Sequence, residues 1–268
     1  MRGWVIAATL ACLGLLAINH TQAAEPAPAT APLLALGAQE AGCPPAIETE
    51  TQDGALIHLA PVLKPGGALD ILAVGLGPVG TAVPHAGAPA HPSGIADGLA
   101  RALQAAVHGL RVTVTLGGGS GKLAQSQLQI ITEAMKAHHY QLVLWQTGTL
   151  EAVNDEPAGD FYQALSDGVA AITDGGADVV LLEPQYSRFL EANANLSPYL
   201  AAMQAQSATP GVVLFHRYQL MHDWVEAGLI DLENAVPPER QHVAAHLHAC
   251  LGAELARALL ANVAGAAE

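Results

Sequence analysis

Four sets of residues in this chain have types and spacings that could do chemistry. The first is Gly117-Gly118-Gly119-Ser120-Gly121-Lys122, a glycine-rich run closed by a lysine, the composition that cradles phosphates with backbone N–H groups. A nucleotide loop also needs a glycine six residues before the lysine and a hydroxyl after it to ligate magnesium, and here those places hold Leu116 and Leu123. The run therefore reads as a strand-to-helix turn in which glycine supplies positive φ. The second set is Glu239, His242 and His246, at i, i+3 and i+7, which one face of a helix would align as a metal-ligand stripe. Pro237-Pro238 sets Glu239 at or before the helix start and His248 lies off the stripe, so hydrogen-bonded or solvated histidines are the competing reading. The third is His138-His139 at the end of a helical pattern, where an imidazole meets the helix's negative pole. The fourth is Cys43 and Cys250, an even pair at opposite ends of the folded region: one bridge in an oxidising compartment, or two buried thiols.

These side chains are positioned by a regular alternation of strands and helices. Apolar runs at 69–75, 111–116, 141–146, 178–183 and 211–215 are too short for helices and too continuous for half-exposed strands. Each is followed by a helical pattern: 94–107, 122–137, 159–173, 191–206, and a shorter one at 221–227. A last helix is expected over 240–263. Buried parallel strands read as unbroken apolar runs, so the expected fold class is three-layer α/β/α, a five-stranded parallel sheet with helices on both faces. Ligands of such sheets bind beyond the carboxyl ends of the strands, which singles out the loops after Gly75, Leu116, Gln146 and Glu183. No internal repeat is visible.

The N-terminus and the composition bound location and partners. Arg2 precedes an apolar run from Trp4 to Ile18, and Thr21-Gln22-Ala23 then offers small residues where a signal peptidase reads. Residues 1–23 are expected to be a signal peptide, 24–65 an Ala/Pro-rich tether and N-terminal segment, and 66–268 one domain. The run is about fifteen residues against the ~20 of a spanning helix, so no membrane span is expected after cleavage; retention as an anchor is the alternative. A lipoprotein site at Cys12 is disfavoured by Thr9, where leucine is wanted. Ten basic against 24 acidic residues give a net charge of −14, a field that repels nucleic-acid phosphates. No cofactor is expected.

Four separated blocks carry a family resemblance. Ile71-Leu72-Ala73-Val74-Gly75 with its small-residue turn, Val112 to Gly121, Trp145-Gln146-Thr147-Gly148-Thr149, and His242 with Cys250-Leu251-Gly252 downstream occur in the order and spacing of the SGNH (GDSL-type) hydrolases. The chain resembles that superfamily over about residues 66–262, and Glu183-Pro184-Gln185-Tyr186-Ser187 is similar to its exported bacterial branch. The resemblance implies a flavodoxin-like sheet and ester hydrolysis: a serine after the first strand attacks, oxyanion donors follow the first three strands, and a late Asp-x-x-His supplies base and orienter. It also sets the segment at Cys43 beside the last helix, which favours a Cys43–Cys250 bridge.

The departures from that pattern shape the functional expectation. Gly77 stands at the nucleophile position, so there is no hydroxyl to activate. Leu150 replaces the oxyanion Asn, a type of donor whose loss costs ~10²- to 10³-fold in rate. Ser120 or Gly121 takes the oxyanion Gly position, and Glu239 with His242 keeps the orienter and base positions. Three functions follow. One is a non-catalytic envelope protein, a pseudoenzyme that binds a glycan, an acyl chain or a protein, or serves assembly, in a crevice lined by Gly77, Ser120, Gly121, Gly148, Thr149, Leu150, Tyr186 and His242. The second is a rewired esterase or deacetylase of acylated glycans or small esters, attacking through Ser120 or Ser93. The third is a metal module on Glu239, His242 and His246.

Overall fold

The computed structural model describes residues 42–44, 56–77 and 94–265; the signal segment, most of the tether and Ser93 lie outside them. The chain runs β1 (Ala68–Val74), α1 (Gly94–Ala106), β2 (Arg111–Gly118), α2 (Ala124–Ala137), β3 (Leu142–Gln146), α3 (Thr149–Asn154), α4 (Ala158–Asp174), β4 (Asp178–Leu182), α5 (Arg188–Asn193), α6 (Ser197–Gln206), β5 (Val212–Phe215), α7 (Arg217–Glu226) and α8 (Arg240–Gly265). All strand pairs are parallel, in the order β2-β1-β3-β4-β5. This is the flavodoxin-like order, in which the chain reverses direction of travel between β2 and β3.

Strand pleating divides the core in two. Leu69, Ile71 and Ala73 of β1, with Leu142, Leu144, Val180, Leu182, Val213 and Phe215, face the layer of α1, α7 and α8. Their neighbours Leu72, Val74, Val143, Trp145, Val179, Leu181, Val212 and Leu214 face α2, α4 and α6. Every second residue thus feeds the same core, as the period of two requires. With few aromatics, close helix contact comes from small residues: a Cβ on Gly252 of α8 would stand 2.4 Å from the Gly98 carbonyl carbon of α1. α8 is long and apolar enough to cross a membrane, but Leu247, Leu251, Leu255 and Leu259 are buried in the first core. Cys43 and Cys250 are disulfide-bonded, Cα atoms 5.3 Å apart, tying the N-terminal segment to α8.

Three helices differ from the sequence expectation, one of them α3, which was not expected between β3 and the helix over 159–173. The helix expected over 191–206 is broken into α5 and α6, with Ala194 to Leu196 between them. Pro198 lacks the N–H a continuous helix would use and disfavours a helical residue before it, so the chain restarts at Ser197. The helix expected at 221–227 begins four residues earlier, because Arg217, polar by type, is buried.

Candidate functional site at the carboxyl edge of the sheet

β1 is followed by Gly75, which has φ +81° and whose added Cβ would lie 1.9 Å from the Gln146 carbonyl oxygen. Only glycine lets the turn after β1 pass this close to the end of β3. The buried Gln127 of α2 fastens the same region. Its Oε1 accepts from Trp145 Nε1 at 2.7 Å, and its Nε2 donates to the carbonyls of Gly119 at 3.0 Å and Gln146 at 3.2 Å. Glu151, also buried, accepts from Ala124 N, at the start of α2, and from Gly148 N at 3.1 Å. Two buried polar side chains therefore lock the loop after β2 to the loop after β3. Sequence reasoning missed both; a Gln and a Glu inside otherwise apolar helical faces were the available signal.

Gly77 and Ser120 meet on this scaffold. An ideal Cβ on Gly77 would lie 2.8 Å from Ser120 Oγ, so the serine hydroxyl occupies space that a side chain at 77 would use. Ser120 and Gly121 are exposed in their turn. Leu150 is part-buried in the first turn of α3, with Thr149 beside it, and the Gly148 N–H is already spent on Glu151.

The base and orienter do not assemble. Glu239 precedes α8, and neither a hydrogen bond nor an ion pair joins it to His242 among the described residues. His242 instead lines a pocket of about 460 Å³ with Leu229, Ile230, Asp231, Asn234, Val243 and His246, none of them from the crevice loops. His246 Nε2 donates to the Gly42 carbonyl at 3.2 Å. The metal stripe fails for the same reasons, and among the described residues no three His, Cys, Asp or Glu side chains are placed to share an ion. His138 caps α2 with its backbone and turns its ring to Asp70, Nε2 to Oδ2 3.3 Å, rather than to a metal. Tyr186, expected in the crevice lining, is 4% exposed. Its ring packs edge-on against Tyr218 and His222, and its hydroxyl donates to Glu191 Oε2 at 3.2 Å. Burial first, and then Glu191, raise its phenol above the usual range. It is a packing residue.

Farther along the same edge lies a polar cluster that the sequence did not suggest. Glu183, after β4, is buried; its Oε1 stands 3.0 Å from His216 Nδ1 and its Oε2 accepts from Tyr218 N at 3.2 Å. Arg217, only 2% exposed, donates through Nη1 to Gln146 Oε1 at 2.8 Å. Burial lowers Arg217 to about 10, against the attraction of Glu183. Burial and then Arg217 push His248 of α8 down to about 4, against a smaller pull from the Ala244 carbonyl. His248 is therefore a neutral imidazole at pH 7.

The profile of a family described as Non-GDSL lipase-like matches residues 42–265. A catalytic mutant of Axe2, an acetylxylan esterase from Geobacillus stearothermophilus, superposes with TM-score 0.52 and 18% identity, covering 75% of this chain and 95% of that one. Another Axe2 mutant, described as an acetyl-xylooligosaccharide esterase, gives 0.52 at 15% identity, covering 75% and 96%. At these identities the likeness shows the fold alone, an α/β parallel sheet of the SGNH esterase type. Comparison with curated proteins finds no match.

Proposed function

Because the chain belongs to the Non-GDSL lipase-like family and carries glycine where an SGNH esterase carries its attacking serine, we propose that it is an exported, non-catalytic binding or assembly protein of the cell envelope, built on an esterase fold. One observation carries this reading: the place of the nucleophile's side chain is taken by Ser120 Oγ, 2.8 Å from a Cβ at Gly77. Among the described residues that hydroxyl has no hydrogen-bonded base, and His242 lines a different pocket. The Leu150 side chain offers no donor and the Gly148 N–H is engaged, so a developing oxyanion would lack both of these groups. The packed sheet that binds a ligand outlasts the groups that cleave one. The signal-like segment 1–23 supports export. The ligand class is a glycan or acyl group, which is what the acetylxylan esterases' names describe for those proteins.

The test is p-nitrophenyl acetate turnover. Wild type is expected to match the uncatalysed rate, and the triple variant Gly77→Ser, Ser120→Gly, Leu150→Asn to stay near it, because His242 lines a different pocket and leaves the new hydroxyl without that base. Ser120→Gly is included because a serine at 77 would otherwise collide with the hydroxyl already there. Wild-type turnover clearly above the uncatalysed rate rejects the reading. The same 2.8 Å approach favours one alternative, in which Ser120 serves as a relocated nucleophile; turnover abolished by Ser120→Ala would establish it.

A further inference from the structure

Six buried side-chain polar atoms make no hydrogen bond among the described residues, and four of them belong to neighbouring positions at the carboxyl edge: Thr147 Oγ1, Arg217 Nε and Nη2, and His248 Nδ1. Thr147 directly follows Gln146, the partner of Arg217, and His248 lies within electrostatic reach of the guanidinium. A guanidinium is a planar fork with five N–H donors. Here Nη1 is committed to Gln146, which leaves open the opposite edge, Nε with Nη2. That edge matches the two oxygens of a carboxylate in a bidentate pair. Buried donors left unmet carry their full desolvation penalty, so the arrangement favours an acceptor.

Among the described residues no carboxylate fills this place. Glu183 is near enough to attract Arg217 but spends Oε1 on His216 and Oε2 on the Tyr218 N–H. The components come from the ends of β3, β4 and β5 and from α8, where an open parallel sheet binds its ligands.

We propose that the Nε/Nη2 edge of Arg217, with His248 beside it, binds one carboxylate group of a small ligand that enters past the part-buried Gln146 and His248. The proposal deepens the binding reading by naming the ligand as an acid, either a sugar acid or a short free acid. A single buried guanidinium in a chain of net charge −14 selects one carboxylate rather than a polyanion. His248, uncharged at neutral pH, adds a polar neighbour without a second positive charge.

The experiment titrates the mature chain with sodium glucuronate, sodium acetate and the neutral methyl glucuronate at fixed ionic strength, following the melting temperature and the Arg217 Nε–H resonance. A saturable response to glucuronate alone identifies a sugar acid, and one to acetate as well identifies the carboxylate group itself. Either supports the site provided that methyl glucuronate gives none. Arg217→Lys, which lacks the fork, is expected to weaken binding at least tenfold. Should that variant fail to fold, His248→Gln is expected to weaken it several-fold, and the wild-type resonance shift remains a test by itself. No saturable response to either acid, an equal response to the neutral ester, or unchanged affinity in a folded Arg217→Lys overturns the proposal. Ester turnover is read separately, so an active enzyme that still binds acid would reject only the non-catalytic reading.

Discussion

Replacing Glu151 by alanine should unfold much of what aligns the crevice loops. The carboxylate is 3% exposed and holds two backbone N–H groups, Ala124 at the start of α2 and Gly148 before α3. A hydrogen bond to a charged group is worth about 1.5 to 3 kcal/mol, and a buried donor left unmet costs about 1 to 3 kcal/mol. Two donors orphaned together give about 3 to 5 kcal/mol for Glu151→Ala. Glu151→Gln keeps one acceptor oxygen but turns an NH₂ toward the second N–H, so about 2 kcal/mol is expected by the same reasoning. Urea unfolding at pH 7 measures both, and hydrogen exchange at Ala124 and Gly148 localises the effect. A Glu151→Ala loss below about 1 kcal/mol, with both amides still protected, would refute the claim that this carboxylate joins the loops.

Other expectations are independent of this one. The Cys43–Cys250 bridge spans 207 residues of sequence, so the paired Cys→Ser variant should lose about 2 to 5 kcal/mol in denaturant unfolding, and thiol titration of the unreduced protein should find neither cysteine. Gly252→Ala forces a Cβ to 2.4 Å from α1 backbone and should cost more than ~3 kcal/mol, while exposed Gly159→Ala, with nothing within 4 Å, should be tolerated. His248 has a folded value of about 4 against 6.5 unfolded, so the unfolded chain binds the proton first. Its contribution to stability is complete above pH 6.5 and is lost as pH falls toward 4, by about 2 to 3 kcal/mol, and His248→Phe should flatten that limb of a pH–stability curve.

The sheet was legible because each buried strand is an unbroken apolar run with a turn after it; all five strands lie within a residue or two of where the runs place them. The edge strand β2 is the instructive case. Thr113 and Thr115 alternate with Val112 and Val114, and the threonine side is exposed, as an edge requires. What failed was the assignment of partners across loops. Spacing set Glu239 three residues before His242, but the helix begins at Arg240 and among the described residues no hydrogen bond or ion pair joins the two. The buried polar groups Gln127, Glu151, Glu183 and Arg217 were invisible as partners, because each pairs with residues 3 to 71 positions away. Periodicity reports which face a residue occupies, not which distant atom answers it.

The central claim, an esterase fold without its nucleophile, is tested most directly by incubating the purified mature chain with a fluorophosphonate probe and weighing it intact. The predicted result is the unmodified mass for wild type. A stoichiometric adduct on wild type, mapped to any serine, would contradict the account.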